Sequence, residues 1–260
     1  MAFLTTDDGV RLFYRVDGPA NAPLVMLSNS LATNHGMWDP QMPALQKQFR
    51  VLRYDQRGHG QSSVPDKPFA IERLGRDVLA LLDEVKVDRV RFCGLSMGGF
   101  TGMWLGCNAA QRLDRLALCN TATKVGPPDL WAKRIDTARK EGMAPLIPAT
   151  MERWFTAPFR EREPAAVERI AAMARSTPPE GYAKTCEAIV AMDQHESIKA
   201  IRTKTLVIAG AHDNATPTAE GRYIAEHIPG ARYVELPAAH ISNVEAADQF
   251  TKALVDFLTA

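Results

Sequence analysis

The segment VRFCGLSMGGF, residues 90–100, carries the pattern Gly-x-Ser-x-Gly at Gly94, Ser96 and Gly98. An apolar run precedes the pattern and a helix-compatible stretch follows it. That context is the strand–turn–helix arrangement in which a serine nucleophile sits on a sharp turn, where larger side chains would collide. Backbone N–H groups at a helix N-terminus also stabilise negative charge. The segment therefore favours Ser96 as a nucleophile over an ordinary glycine-rich turn.

Strand-like and helix-like segments alternate along the chain on both sides of this motif. Strands are predicted at 10–16, 24–27, 50–54, 89–95, 113–119, 205–210 and 232–236, and helices at 71–85, 97–110 and 250–258. This alternation is typical of an α/β protein with a largely parallel sheet. The first two strands are joined by the turn Asp17-Gly18-Pro19, and we expect them to pair as an antiparallel start to the sheet.

Residues 122–197 interrupt the alternation. They contain helical patterns and eight prolines but no good strand. Because loops in α/β proteins are normally short, a long insertion usually serves a function such as covering a site. The sequence predicts a catalytic core at 1–121 and 198–260 and a helical cap, or lid, at 122–197.

A serine nucleophile needs a base, and the base needs an orienting carboxylate. His240 and Asp213 each follow a predicted strand, at the sheet edge where open α/β proteins place their sites. Alone, His240 could be a solvated loop residue and Asp213 a turn residue. His212 is a rival base, ranked lower because adjacent residues at a strand end point apart. We expect the triad Ser96, Asp213 and His240.

The negative charge that forms on an attacked carbonyl needs two backbone N–H donors. The residue after the nucleophile, Met97, supplies one candidate. The second is Leu31, in the polar loop that follows the strand ending at Leu27. We therefore expect an oxyanion hole formed by Leu31 and Met97.

These residues, taken in chain order, resemble the α/β-hydrolase superfamily over essentially the whole chain. The resemblance implies the α/β-hydrolase fold, a mostly parallel sheet flanked by helices with an inserted helical cap. It also makes Asp55, Arg57 and His59 members of a structural loop rather than catalytic residues.

Within that superfamily the chain most resembles the 3-oxoadipate enol-lactonase family. Asn29-Ser30-Leu31 stands where many relatives have His-Gly, and similar segments lie at 37–41, 153–156, 179–183 and 239–245. The resemblance implies a serine esterase that opens the β-ketoadipate enol-lactone to 3-oxoadipate through an acyl-enzyme, in protocatechuate catabolism, without a cofactor or metal.

The carboxylate of such a substrate needs a cation nearby. The candidate substrate-binding residues are Asn29, Ser30, Arg134 and Trp154, with Arg153 and Trp131 as further candidates in the cap. Either arginine, taken singly, could equally lie on a solvated helix face.

Two alternatives stay open at this point. The same fold could carry a broader carboxylesterase or lactonase, or a cofactor-free haloperoxidase. It could also be a catalytically dead receptor that only binds its ligand. The complete set Ser96, Asp213 and His240 argues against the receptor, because a pure binder has no need of all three residues.

Composition restricts the partners. The 260 residues include 31 Lys and Arg and 30 Asp and Glu, a net charge of +1, which argues against nucleic acid or an anionic membrane as partner. No apolar run approaches the ~20 residues of a membrane helix, and the N-terminus lacks a signal core. The four cysteines form no CxxC pair. We expect a cytoplasmic protein acting on a small anionic lactone, with its state as monomer or homo-oligomer left open.

Overall fold

Eight strands form one twisted sheet in the computed structural model, which describes residues 2–260. The strands are β1 (Ala2–Thr5), β2 (Arg11–Asp17), β3 (Leu24–Ser28), β4 (Arg50–Tyr54), β5 (Val90–Leu95), β6 (Leu113–Cys119), β7 (Thr205–Gly210) and β8 (Arg232–Leu236). Their order across the sheet is β1-β2-β4-β3-β5-β6-β7-β8. From β4 to β8 every neighbouring pair is parallel. The predicted fold class, a mostly parallel sheet flanked by helices, is confirmed.

The helices cover the sheet and fill the long connection between β6 and β7. They are α1 (Met42–Leu45), α2 (Ile71–Glu84), α3 (Met97–Asn108), α4 (Pro128–Glu141), α5 (Ile147–Trp154), α6 (Ala157–Arg162), α7 (Pro164–Ser176), α8 (Pro179–Val190), α9 (Thr218–His227), α10 (Ser242–Glu245) and α11 (Ala247–Thr259). In the part of the chain that is described, no helix is long and apolar enough to cross a membrane.

The central strands are apolar because both of their faces are covered. Every residue of β3 and β7 is buried, as expected for parallel strands between two helical layers. On one face α2 presents the buried side chains Leu74, Val78 and Leu81, at the spacing of three and four that the sequence predicts. The stacked parallel strands align the carboxyl ends of β5, β6, β7 and β8 along one edge of the sheet.

The start of the sheet differs from the prediction in its pairing. An antiparallel start is present, but β2 pairs with β1 and β4 rather than with β3. Strand β3 lies between β4 and β5 and is parallel to both. The reason is visible in β3 itself, because an uninterrupted apolar run suits a strand with two covered faces. The sequence prediction also missed β1, which has only four residues, none of them fully buried.

Five α-helices, α4 to α8, lie between β6 and β7, and this stretch of the described chain contains no strand. Its prolines begin helices: α4 starts at Pro128, α7 at Pro164 and α8 at Pro179. Proline is well suited to the first helical position because its missing N–H has no partner there anyway. The boundaries of the cap, 122–197, remain the proposal made from the sequence.

The cap helix α8 contacts the loop after β4 through two glycines. A Cβ atom on Gly58 or on Gly181 would collide with the backbone of the other residue. Gly58 also has a φ of +75°, a conformation that side chains disfavour. One turn further along α8, Lys184 Nζ donates to the carbonyls of Pro65 and Asp66, at 2.8 Å each. This seam fixes α8 against the core.

Candidate active site

Ser96 lies on the turn between β5 and α3 and has a φ of +56°. A left-handed conformation costs a non-glycine residue about 1–3 kcal/mol and persists only where its surroundings enforce it. Here Ser96 N–H donates to Cys119 O at 2.8 Å, and Thr121 Oγ1 donates to Ser96 O at 2.9 Å. Cys119 is the last residue of β6 and Thr121 lies just after it, so the neighbouring strand holds the turn.

The glycines of the motif permit close backbone approach on both sides of Ser96. A Cβ atom on Gly94 would collide with the Gly98 carbonyl, and one on Gly98 would collide with the Ser28 carbonyl. The serine thus stands at the N-cap position of α3, a helix of 12 residues, whose N-terminal N–H groups favour negative charge.

Asp213 and His240 are joined after β7 and β8. Asp213 Oδ2 accepts from His240 Nδ1 at 2.8 Å, and both side chains are almost fully buried. Burial alone would raise the pKa of Asp213, but the charge of His240 and several hydrogen bonds lower it to about 2. An ionised carboxylate at Nδ1 favours the tautomer that leaves Nε2 free to accept a proton.

The remaining bonds of His240 agree with that assignment. Within residues 2–260 its ring hydrogen bonds all involve Nδ1, the second being a 3.3 Å contact with Thr216 Oγ1. Nε2 is therefore the nitrogen available to a nucleophile or a water. His212, the rival base, has an exposed side chain, whereas Asp213 beside it is buried, so the two residues point apart as expected.

The loop after β3, which carries the predicted oxyanion donor Leu31, lies against the turn that carries Ser96. Gly98 N–H donates to Asn29 O at 3.0 Å, which brings the loop after β3 next to the N-terminus of α3. Among the described residues, neither Leu31 N–H nor Met97 N–H donates to another backbone group. Two free donors beside the serine are what a tetrahedral oxyanion requires.

Asn29 and Ser30 differ in what they leave available. Asn29 Oδ1 accepts from Trp38 Nε1 at 2.9 Å, and Asn29 Nδ2 donates to Tyr54 O at 2.7 Å. Both ends of this buried amide are bonded to the protein. The Asn29 side chain therefore holds the loop in place and has no free group for the substrate. Ser30 is buried and its Oγ has no hydrogen-bond partner in residues 2–260, which leaves it as a proposed substrate contact.

The predicted cap contains three of the candidate substrate-binding residues, Trp154, Arg134 and Arg153. The Trp154 ring lies 6.2 Å from the His240 ring, centroid to centroid. Arg134 Nε donates to Tyr182 Oη at 3.0 Å, and its guanidinium carbon lies 4.5 Å from the Trp131 ring centroid.

Arg153 precedes Trp154 and donates to Thr150 Oγ1 at 3.3 Å. Burial, and next the positive charge of Arg134, lower the pKa of Arg153. In residues 2–260 no carboxylate forms an ion pair with Arg134 or Arg153, although most other arginines of the chain have one. Two neighbouring guanidinium groups without counter-ions favour binding of an anion.

Asp55, Arg57 and His59, in the loop predicted to be structural, all make hydrogen bonds within the protein, although the buried His59 Nε2 has no partner in residues 2–260. Asp55 Oδ1 accepts from His35 N–H at 2.7 Å, and Arg57 binds Asp77 through two bonds of 2.7 Å. Burial lowers the pKa of His59, whose Nδ1 lies 3.0 Å from Arg57 O. None of these contacts involves Ser96, so they serve the structure of the loop.

Asn120 was missed in the sequence analysis. This residue follows β6, the strand that lies between β5, which precedes Ser96, and β7, which precedes Asp213. Asn120 Nδ2 donates to Asp213 Oδ2 at 3.0 Å and to Ala239 O at 3.1 Å. Its Oδ1 accepts from Ser242 Oγ. The available signal was its place, because a polar residue directly after a central parallel strand lies at the edge that carries the site.

Known proteins resemble this chain in sequence and in fold. A family model described as alpha/beta hydrolase fold matches residues 23–247. Two relatives from Acinetobacter baylyi are named 3-oxoadipate enol-lactonase 2 and 3-oxoadipate enol-lactonase 1. The first is 41% identical over 96% of this chain and 94% of its own length, and the second 37% identical over 98% and 96%. The crystal structure of the enol-lactonase from Burkholderia xenovorans LB400 has a TM-score of 0.97 and 51% identity, with 100% of both chains covered.

Proposed function

Because the chain belongs to the α/β-hydrolase family, we propose that it is a serine hydrolase that opens the β-ketoadipate enol-lactone and releases 3-oxoadipate. Ser96 is the nucleophile, His240 the base and Asp213 the orienting acid. The reaction belongs to the catabolism of aromatic compounds through protocatechuate. A cytoplasmic location fits the four free cysteines, since thiols persist in a reducing compartment.

The mechanism has two halves. Ser96 Oγ attacks the lactone carbonyl while His240 Nε2 takes the hydroxyl proton, and Leu31 and Met97 N–H groups stabilise the oxyanion. The ring C–O bond breaks, and the leaving enolate stays tethered to the acyl chain. The proton that His240 took from Ser96 is passed to the enolate carbon, which converts the enolate to the ketone and returns His240 to its neutral form. His240 then removes a proton from the water that attacks the acyl-enzyme, and it gives that proton to Ser96 Oγ as the 3-oxo acid leaves.

The pair Arg134 and Arg153 is the observation that carries the choice of substrate. The enol-lactone has one free carboxylate besides its ester, whereas a simple ester has none. Two guanidinium groups without carboxylate partners in residues 2–260, Arg134 against Trp131 and Tyr182 and Arg153 on the helix that carries Trp154, are our candidates for the charge that such a substrate needs. Neutral esters would gain nothing from them.

The test compares kcat/KM for the enol-lactone and for a neutral aryl acetate. We expect Arg153→Ala and Arg134→Ala to lower kcat/KM for the lactone about 10- to 100-fold, the worth of a hydrogen bond to a charged group, with the aryl acetate nearly unaffected. Arg175→Ala, at an exposed ion pair with Glu168, is the matched control. Ser96→Ala should abolish both reactions with the fold intact.

Three results would contradict the proposal. Turnover in Ser96→Ala would refute the serine mechanism. Equal kcat/KM for the two substrates, or equal losses for both in the arginine variants, would instead favour a broader carboxylesterase of the same fold.

A further inference from the structure

The loop that carries His240 is held by the core on one side. His212 N–H donates to Ala238 O at 3.0 Å, and Asn120 Nδ2 donates to Ala239 O at 3.1 Å. These bonds fix the two peptide carbonyls that precede His240. They come from residues that follow β7 and β6, so they belong to the rigid edge of the sheet.

The same loop is held by the cap on its other side. Ile241 N–H donates directly to Trp154 O, the last residue of α5, at 3.1 Å. Ala239 N–H donates to Glu245 Oε2 at 2.8 Å. The N–H groups on both sides of His240 are thus satisfied by residues other than those of the sheet edge.

Glu245 also reaches the cap. Its carboxylate accepts from Thr156 N–H at 3.2 Å and, through Oε1, from Thr156 Oγ1. Thr156 lies between α5 and α6, and its hydroxyl does not cap α6. One carboxylate therefore joins the residue before His240 to the residue that links two cap helices.

We propose that Glu245 is a positioning residue, which ties the α5–α6 junction at Thr156 to the peptide before His240 and so makes the placement of the base depend on the cap. The inference requires His240 to be the base, as in the proposed function, but it is independent of which ester is the substrate. Glu245 itself touches no reacting atom.

The bond from Ile241 N–H to Trp154 O also connects the two parts, but it acts on the residue after His240, whereas Glu245 acts on the residue before it. A cavity of about 500 Å³ borders the Glu245 link and is lined by Phe155, Thr156, His212, Ala239 and Glu245 among others. Packed side chains therefore do not replace the hydrogen bonds on that side. Charge-assisted bonds to a carboxylate are roughly twice as strong as neutral ones, so Glu245 is suited to carry the connection.

Small displacements of a catalytic group are costly, since a 1 Å error can reduce the rate ~100-fold. Proton transfer from Ser96 to His240 occurs in the chemical steps, whereas the ester is held by other residues. Loss of the Glu245 link is therefore expected to lower kcat and to leave KM nearly unchanged.

The experiment uses the full-length enzyme and a neutral aryl acetate. We expect Glu245→Gln to lower kcat about tenfold, with KM within twofold and a parallel fall in the rate at which a fluorophosphonate probe labels Ser96. Thr156→Val, which removes only the hydroxyl, should give a smaller loss in kcat, and Thr156→Ser should restore it. The matched control is Glu152→Gln, an exposed glutamate that lines the same cavity, and it should behave as wild type.

Three results would overturn the inference: an unchanged kcat in Glu245→Gln, a rise in KM with constant kcat, or equal activity of Thr156→Val and Thr156→Ser at or below the wild-type level. If Glu245→Gln fails to fold, the Thr156 pair decides. Absence of enol-lactone hydrolysis would refute the proposed substrate alone, because all of these measurements use the aryl ester.

Discussion

The carboxylate of Asp213 is held on both of its oxygens. Oδ1 accepts from the backbone N–H groups of Ala215 and Thr216, at 2.8 and 2.9 Å. Oδ2 accepts from His240, from Asn120 and from Thr216 Oγ1. Donors on every side stabilise the ionised form, which is the form that can stabilise a protonated His240 during acyl transfer.

Replacing Asp213 by asparagine tests this role at the scale of one residue. The variant removes the negative charge and places an amide N–H₂ among groups that are themselves donors. We expect kcat for an aryl acetate to fall about 10³- to 10⁴-fold, as for orienting carboxylates elsewhere. Asp256→Asn, at an exposed pair with Lys252, is the control. A loss below tenfold in a folded Asp213→Asn variant would contradict the role.

Single residues show where sequence reasoning stops. The candidates Ser96, Asp213 and His240 could be identified because each follows a recognisable strand. Their order along the chain then indicated the role of each. The bonds from Asn120 to Asp213 and from Thr156 to Glu245 could not be assigned, because the two residues of each pair lie 93 and 89 residues apart in sequence. Hydrogen bonds of that range depend on the assembled structure and leave no local pattern.

At the scale of elements, the turn between β5 and α3 depends on contact between backbones. The Gly98 position faces the carbonyl group of Ser28 at the end of β3, and backbone cannot move aside as a flexible side chain can. The glycines of the motif therefore permit the turn and also allow the backbones of β3, β5 and α3 to pack closely together.

Gly98→Ala should consequently destabilise the protein. We expect the free energy of unfolding to fall by about 1–3 kcal/mol, the usual cost of forcing extra atoms into a packed site, and activity to fall because the shift occurs at the oxyanion loop. Gly126→Ala is the control, since a Cβ atom there meets nothing within 4 Å. Thermal unfolding measures both variants, and equal melting temperatures would contradict the expectation.

Element boundaries were predictable where one physical signal dominates. Strands β4, β6, β7 and β8 have the bounds that their apolar runs predict. The neighbours of β2 were not predictable, because an alternating strand records which face is buried but not which strand lies beside it. The 3-10 helix His35–Gln41 was also missed, since its short turns lack a helical period.

At the scale of the whole molecule, carboxylates held by hydrogen bonds and nearby positive charge couple stability to pH. The pKa of Asp213 is about 2 in the folded chain against an ordinary value of 3.8. Hydrogen bonds and charge from Arg57 also hold the pKa of Asp8 below its usual range. At these two groups the folded state binds fewer protons than the unfolded state, so their stabilisation is complete above about pH 4 and is lost as pH falls toward 2.

The expected contribution of Asp213 is about 2 kcal/mol. Chemical unfolding followed by circular dichroism, at pH values between 2 and 6, measures it. The wild type should lose about that much more stability on acidification than Asp213→Asn loses. Parallel pH profiles for the two proteins would contradict the assignment, and Asp256→Asn should follow the wild type.

The glycine pair at Gly58 and Gly181 restricts how caps can be exchanged between related enzymes. A foreign cap grafted onto this core brings its own residue to the position of Gly181, and any side chain there meets the backbone of the core loop. This core can therefore accept only a cap that has a glycine at the position of Gly181. Evolution of new substrate ranges in this scaffold should proceed by substitution within a resident cap more readily than by wholesale replacement.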